Sequence, residues 1–290
     1  MFLKKVGDKV VREFNLINEK GQTFSLMDIK NYCLLTEPSG LGYNYSSEYE
    51  QIENSFISNV RKIEQGQING IVNFINYDNY TKLVDFIEGS ETLKFQYIIP
   101  QKEKTLEFYK DIQIQSLSKT QIQTTGVLSE AITFDCLSLW YKENNVVYLG
   151  DETENEIRWD FEWDSRFTDY ENRNLVFENK GHVEAPFLLE MNGYVLNPKI
   201  QVYVNKQKIY ELALNLTVEE GEKLMYSTKD NDLFLYLVHA NNTQENLFNY
   251  LDLNNINFFK LPKGVSEVKV SGENEILNTR LTIFEEYVAV

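Results

Sequence analysis

At 290 residues and 34.0 kDa the chain has room for two modest domains, and 42% hydrophobic residues are enough to give each a core. Its formal charge of −16, from 44 acidic against 28 basic residues, argues against nucleic-acid binding, which needs clustered Lys or Arg to displace counterions. No run reaches the roughly 20 apolar residues of a membrane span, and Cys33 and Cys136 are too few and too far apart for a disulfide framework. With 18 Tyr, 18 Phe and many β-branched residues, the composition favours sheet over helix bundle, and both cysteines are expected as buried free thiols.

In chain order, MFLKKVGDKVV lacks the apolar region of a signal peptide, so the protein is expected to be made and kept in the cytosol. Residues 9–16 and 24–26 read as strands about the turn Asn18-Glu19-Lys20-Gly21, and residues 32–35 as a short extended run. A loop is expected at Pro38-Ser39-Gly40-Leu41-Gly42, followed by the polar, aromatic run YNYSSEYEQIEN, to which no element is assigned. Residues 68–75 alternate as a strand. Then comes the one helix, with Asp78 as N-cap, Tyr80, Leu83, Val84 and Ile87 on one face, and Gly89 just past its end. Strands over 93–99, 105–117 and 127–141 complete a first domain that is β in character, a sheet or split barrel carrying one helix.

Polar, acidic residues at 143–145 and 150–155 place the domain boundary so that the domains are 1–149 and 150–290. After it, Ile157, Trp159, Phe161 and Trp163 alternate with Arg158, Asp160, Glu162 and Asp164, giving a strand with an aromatic face and a charged face. In the stretch 186–216, Ile200, Val202 and Val204 alternate with polar neighbours. Asn197-Pro198 marks a turn before them, and Asn205 to Lys208 a tight hairpin after them, as in an antiparallel meander. Further strands are expected over 223–227, 233–238, 256–261, 265–271 and 279–288, with a short helical turn within 246–253; the spacing suits a two-sheet sandwich.

The residues that could carry chemistry are few. Trp159 and Trp163 are candidates for stacking on a sugar or a protein partner, with Asp160 beside them. Glu162 and Asp164 supply further carboxylates of the kind a glycosidase uses. Uniform aromatic parity opposite a charged parity is more often a core face opposite solvent. His182 and His239 stand in no zinc-binding spacing and no GxSxG elbow occurs. Gly40 and Gly42 form a lone GxG without the third glycine of a dinucleotide fingerprint. Asp230-Asn231-Asp232 opens like a calcium loop but has Leu235 and Asn241 where Gly and Glu belong. No catalytic residue, metal site or cofactor is expected, and the chain reads as a non-enzyme.

The order of segments carries a resemblance. NEKGQTFSL, EPSGLG, NGIVNFINYDNYTKLVDFI, DIQIQSLSKTQI and a strand ending in SLWY precede an Asn-Pro turn, KIQVYVN, KIYELAL and the Gly221-Glu222 turn. This succession resembles the phage distal tail protein family. The resemblance implies a structural virion component, assembled in the host cytoplasm, that forms a homo-hexameric ring at the far end of the tail tube. Residues 1–149 would make the ring and line a channel for DNA. Residues 150–290 would form a galectin-like sandwich serving as a platform for receptor-binding or other baseplate proteins. The ring's two faces would meet the tail tube protein and the tail-tip protein. The alternative from the residues alone is a carbohydrate-binding module of a baseplate or cell surface, using Trp159 and Trp163. A glycoside hydrolase comes third.

Overall fold

Phe14, Leu16 and Asn18 turn inward while Glu13, Asn15 and Ile17 do not, and the same alternation recurs along many of the strands that follow. In the computed structural model the chain is a mainly β protein with one α-helix. The structure describes residues 12–28, 32–100, 105–122, 126–148, 174–252, 254–273 and 278–290. They fall into two compact units, Met1–Tyr141 with Tyr287–Val290, and Lys142–Glu286.

The first unit carries β1 (Glu13–Asn18), β2 (Thr23–Ser25), β3 (Met27–Asp28), β4 (Cys33–Ser39), β5 (Tyr45–Ile52), β6 (Ser55–Ile63), β7 (Gln67–Phe74), α1 (Tyr77–Glu88), β8 (Leu93–Pro100), β9 (Thr105–Leu117), β10 (Leu128–Cys136) and the start of β11 (Trp140–Tyr148). In space β1, β8, β9, β10, β7 and β4 follow one another, all antiparallel. The series then returns to its start. The Leu26 N–H donates to Phe14 O on β1 at 2.9 Å, and Leu26 O accepts from Leu35 N–H on β4 at 2.8 Å. Rolling a sheet on itself satisfies backbone groups that a flat sheet leaves on its edges. Inside lie Leu16, Leu26, Ile68, Phe74, Phe95, Phe134 and Trp140, all fully buried. The helix adds Leu83 and Ile87 to this core, and Phe86 meets Phe24 at 5.4 Å between ring centres. The last residues of the chain belong here too, with Tyr287 edge-on to Phe108 at 5.5 Å.

The second unit carries β12 (Asn174–Asn179), β13 (Phe187–Asn192), β14 (Val195–Leu196), β15 (Lys199–Val204), β16 (Gln207–Ala213), β17 (Thr217–Val218), β18 (Lys223–Lys229), β19 (Asp232–Val238), β20 (Gln244–Asn246), a 3-10 turn at Phe248–Tyr250, β21 (Gly264–Ser271) and most of β22 (Asn278–Tyr287). Two antiparallel layers form, β20-β19-β18-β13-β22 and β12-β21-β15-β16. Phe187, Leu189, Tyr226, Leu235 and Ile283 from the first share one core with Phe177, Ile200, Val202 and Val268 from the second. Tyr226 brings a hydroxyl into this core and satisfies it by donating to Asn257 O at 2.8 Å, while burial pushes the phenol pKa up.

Several local expectations need correction. The helix is capped by Asn76, not Asp78: Asn76 is extended and its side chain accepts from Asn79 N–H at 2.9 Å, leaving Asp78 in the first turn. Gly89 is at φ −83 and so is not a left-handed terminator. Residues 127–141 form two strands rather than one, broken near Ser138, whose hydroxyl accepts from Asp111 N–H at 2.9 Å. Residues 256–261 form no strand and reach a sheet only through a bridge from Leu261 to Ala185. The break at 205–208 is a two-residue turn, Asn205-Lys206, with both residues at positive φ, as right-twisted hairpins require. Finally, the unassigned run after Gly42 is a long hairpin, β5 with β6. Gly40, at φ +78, is obligatory: a Cβ there would sit 1.8 Å from Gln67 O.

Candidate interaction surfaces

The aromatic and acidic strand singled out by the sequence, with Trp159, Asp160 and Trp163, lies outside the described residues. Asp230 of the acidic turn is placed, and it receives Lys260 Nζ at 2.6 Å. Among the described residues no group of three or more His, Cys, Asp or Glu side chains is arranged to hold a metal ion.

His239 is the more informative histidine. Its Nδ1 lies 2.6 Å from Glu222 Oε1 and its Nε2 lies 3.4 Å from Glu245 Oε2. The hydrogen bond to Glu222 raises the imidazole pKa and lowers that of the carboxylate. Glu222 Oε2 also accepts from Glu219 N–H at 3.0 Å. The cluster therefore ties the 219–222 turn to β19 and β20. Its bonds are spent on the fold.

The thiols are equally structural. Cys33 and Cys136 are both buried and free, and desolvation pushes Cys33 up to about 12, far from the thiolate needed for chemistry. Cys136 is also raised, by burial, against the opposing influence of Lys110.

What the first unit does offer is exposed apolar surface at two places. The first is the β5–β6 hairpin, a two-stranded sheet to which no other strand is paired among the described residues. A bulge between Glu48 and Tyr49 sets which side chains share a face. Tyr45, Tyr49, Phe56, Arg61 and Ile63 lie on one face; Glu48, Glu50, Ile52, Ile57 and Val60 lie on the other. Tyr49 is 64% exposed and Phe56 67% exposed, and Ile52 and Ile57 are exposed as well. At the base, Arg61 stacks on the Tyr45 ring at 3.8 Å and Tyr43 meets that ring edge-on at 5.1 Å. The tip therefore combines large apolar side chains with three carboxylates, Glu48, Glu50 and Glu53.

The second place is the start of α1. Ile75, Tyr77 and Ile122 are all exposed. Tyr77 accepts from Ile122 N–H at 3.0 Å, which holds the 119–122 segment against the helix. Lys119 lies over both the Tyr77 ring, at 5.7 Å, and the Tyr80 ring, at 5.3 Å. This surface is apolar and aromatic, with a cation over two of its rings.

A family model described as the distal tail protein N-terminal domain matches residues 13–137, nearly all of the first unit. The chain is 28% identical over 152 residues to a distal tail protein of Lactococcus phage SK1, a stretch that is 50% of either chain; it thus spans about half the length of that curated relative. Among solved structures, a chain of the phage P2 baseplate in its activated conformation with calcium shares the fold at a TM-score of 0.67 and 16% identity, covering 97% of this chain and 100% of that one. The Dit protein of SPP1, described as a paradigm of hub adsorption apparatus in phages infecting Gram-positive hosts, does so at 0.57 and 9%, covering 94% and 98%.

Proposed function

We propose that the chain, which belongs to the distal tail protein family, is a structural component of the phage virion and forms the hub at the distal end of the tail tube. The observation that carries this reading is the family match over residues 13–137, which coincides with one rolled sheet and its helix. A fold likeness extending over 97% of the chain supports it. In this reading the hub is a ring of six copies with a central channel. It joins the tube to the tail-tip protein and to host-adhesion or other baseplate proteins. Residues 1–149 make the ring, and residues 150–290, a galectin-like sandwich, form the outward platform.

The charge suits such a channel. Six copies carry −96 (6 × −16), and carboxylates facing the lumen would repel DNA rather than hold it. The test is antibody or gold labelling of intact particles with a tagged chain, viewed by electron microscopy. Label at the free end of the tail supports the reading. Label along the tail shaft, on the head, or only on host membranes would overturn it.

A further inference from the structure

An asparagine followed by glycine is chemically weak, because glycine has no Cβ to obstruct attack by its own nitrogen on the asparagine side chain. The chain has two such steps, Asn69-Gly70 and Asn192-Gly193, and the fold treats them in opposite ways. Asn69-Gly70 lies inside β7, between β10 and β4, with Asn69 opposite Thr133 and Gly70 opposite Ile132. Asn69 Oδ1 accepts from Thr133 Oγ1 at 2.8 Å, and a Cβ at Gly70 would lie 2.6 Å from the Leu35 side chain. An amide tied in this way on a central strand cannot swing onto the next nitrogen unless the sheet opens.

Asn192 is instead the last residue of β13, and Gly193 turns the chain toward β14 at φ +88. Asn192 points away from the core and is half-buried, and among the described residues its side-chain amide has no hydrogen-bond partner. The Gly193 N–H reaches Glu222 O at 3.4 Å, longer than the usual limit of about 3.2 Å. A Cβ on Gly193 would have no atom within 4 Å, so the space around this nitrogen is open.

We infer that Asn192 is a site of spontaneous modification, converting through a cyclic imide to aspartate and isoaspartate while the fold preserves Asn69. The Gly193 nitrogen, on losing its proton to base, attacks Asn192 Cγ. The new C–N bond closes a five-membered ring, the Cγ–Nδ2 bond breaks, and ammonia leaves. Water then opens the ring, at Cγ to give aspartate or at the main-chain carbonyl to give isoaspartate. The sum is amide plus water going to acid plus ammonia, with no change of oxidation state. Each conversion takes the formal charge from −16 to −17 (−16 − 1) and sets a carboxylate opposite Lys223 on β18 and Asn278 on β22. Isoaspartate also lengthens the main chain by one carbon at the end of β13, beside the 219–222 turn that His239 holds. The inference goes beyond the hub reading and does not depend on it.

The experiment holds the purified full chain at mildly alkaline and mildly acidic pH, in ordinary water and in water labelled with oxygen-18, with a parallel set in concentrated urea. Peptide mass spectrometry over time reads the two steps. In the folded protein the Asn192 peptide should gain about 1 Da, or about 3 Da in labelled water, with isoaspartate detected by fragmentation. The gain should be faster at alkaline pH, where more of the attacking nitrogen is deprotonated, and at least about tenfold faster than at Asn69. In urea the two rates should converge. Asn192→Gln should abolish the gain, because its ring would need six members and closes far more slowly, and a thermal melt matching wild type certifies its folding. Equal rates at Asn69 and Asn192 in the folded protein, a gain at Asn192 confined to urea, or a gain without oxygen-18 uptake would each overturn the inference.

Discussion

Glu130 shows how a buried carboxyl group is accommodated in the first unit by hydrogen bonds. It is fully buried, and it accepts from Ser118 Oγ at 2.8 Å, Thr120 N–H at 2.6 Å and Thr120 Oγ1 at 2.8 Å. All three bonds converge on the segment that leads from β9 to the Tyr77 surface. Replacing one oxygen by an NH2 group sets donor against donor. Glu130→Gln should therefore cost about 2 kcal/mol in urea unfolding, and a loss below about 0.5 kcal/mol would mean that these bonds do not hold the segment.

At the same scale, His239 gives the second unit a pH response whose sign follows from its pair. The imidazole pKa is raised by Glu222 in the fold, so its contribution is complete below the unfolded value of about 6.5 and is lost as pH rises through the folded value. The Glu222 pKa is lowered by His239, so its contribution is present above an unfolded value of about 4.3 and is lost as pH falls through the folded value. The pair works between those limits, with Glu245 adding to the attraction at the other ring nitrogen. A nuclear magnetic resonance titration should find His239 titrating above a model imidazole and shifting down in Glu222→Gln. A His239 that titrates at the model value would show that the contact is not formed in solution.

Among the elements, α1 depends on a residue outside its apolar stripe. Asn76 satisfies one of the helix's orphan N–H groups, and Asn76→Ala should lower stability by about 1 kcal/mol, whereas Asp78→Ala should change it by a few tenths at most. Equal effects of the two substitutions in denaturant titrations would return the cap to Asp78. The cap was misread because Asn-Tyr-Asp offers two capping side chains two residues apart, and only the backbone angles decide between them.

Strands with one buried face were legible for the reason β1 and β15 illustrate: burial on alternate residues writes a period of two into the sequence. The same logic explains the failures. β5 and β6 bury almost nothing, so their apolar residues fall on both faces and no alternation forms. Residues 256–261 err in the other direction, since Phe259 and Leu261 are buried as plugs of the core without a ladder to extend them. A signal for the hairpin is present in YNYSSEYEQIEN followed by SFISNVRKI, but aromatic residues mixed with carboxylates resemble any polar loop. An exposed hairpin is thus the part least visible to a pattern that detects internal cores. The aromatic strand at Trp159 and Trp163 was the clearest pattern in the chain, and it lies outside the described residues.

For the whole molecule the governing quantity is charge. Every copy brings −16, so association sets two such bodies beside each other. Without screening, that repulsion is on the order of 10 kcal/mol or more at protein dimensions. Solvent-exposed ion pairs between copies would oppose it by only about 0–1 kcal/mol each. Global repulsion therefore wins at low salt and fades when the Debye length falls from about 30 Å at 0.01 M to about 8 Å at 0.15 M. Burial of exposed apolar side chains such as Phe56 and Ile57 would be indifferent to that change and favoured further at higher salt. Sedimentation velocity across this range should show association tightening at least about tenfold as salt rises, the reverse of a contact held by ion pairs. Association that weakens with salt would instead place the binding energy in ion pairs between copies and reduce exposed apolar side chains such as Phe56 and Ile57 to bystanders, an outcome that Phe56→Ser would then confirm by leaving the mass unchanged.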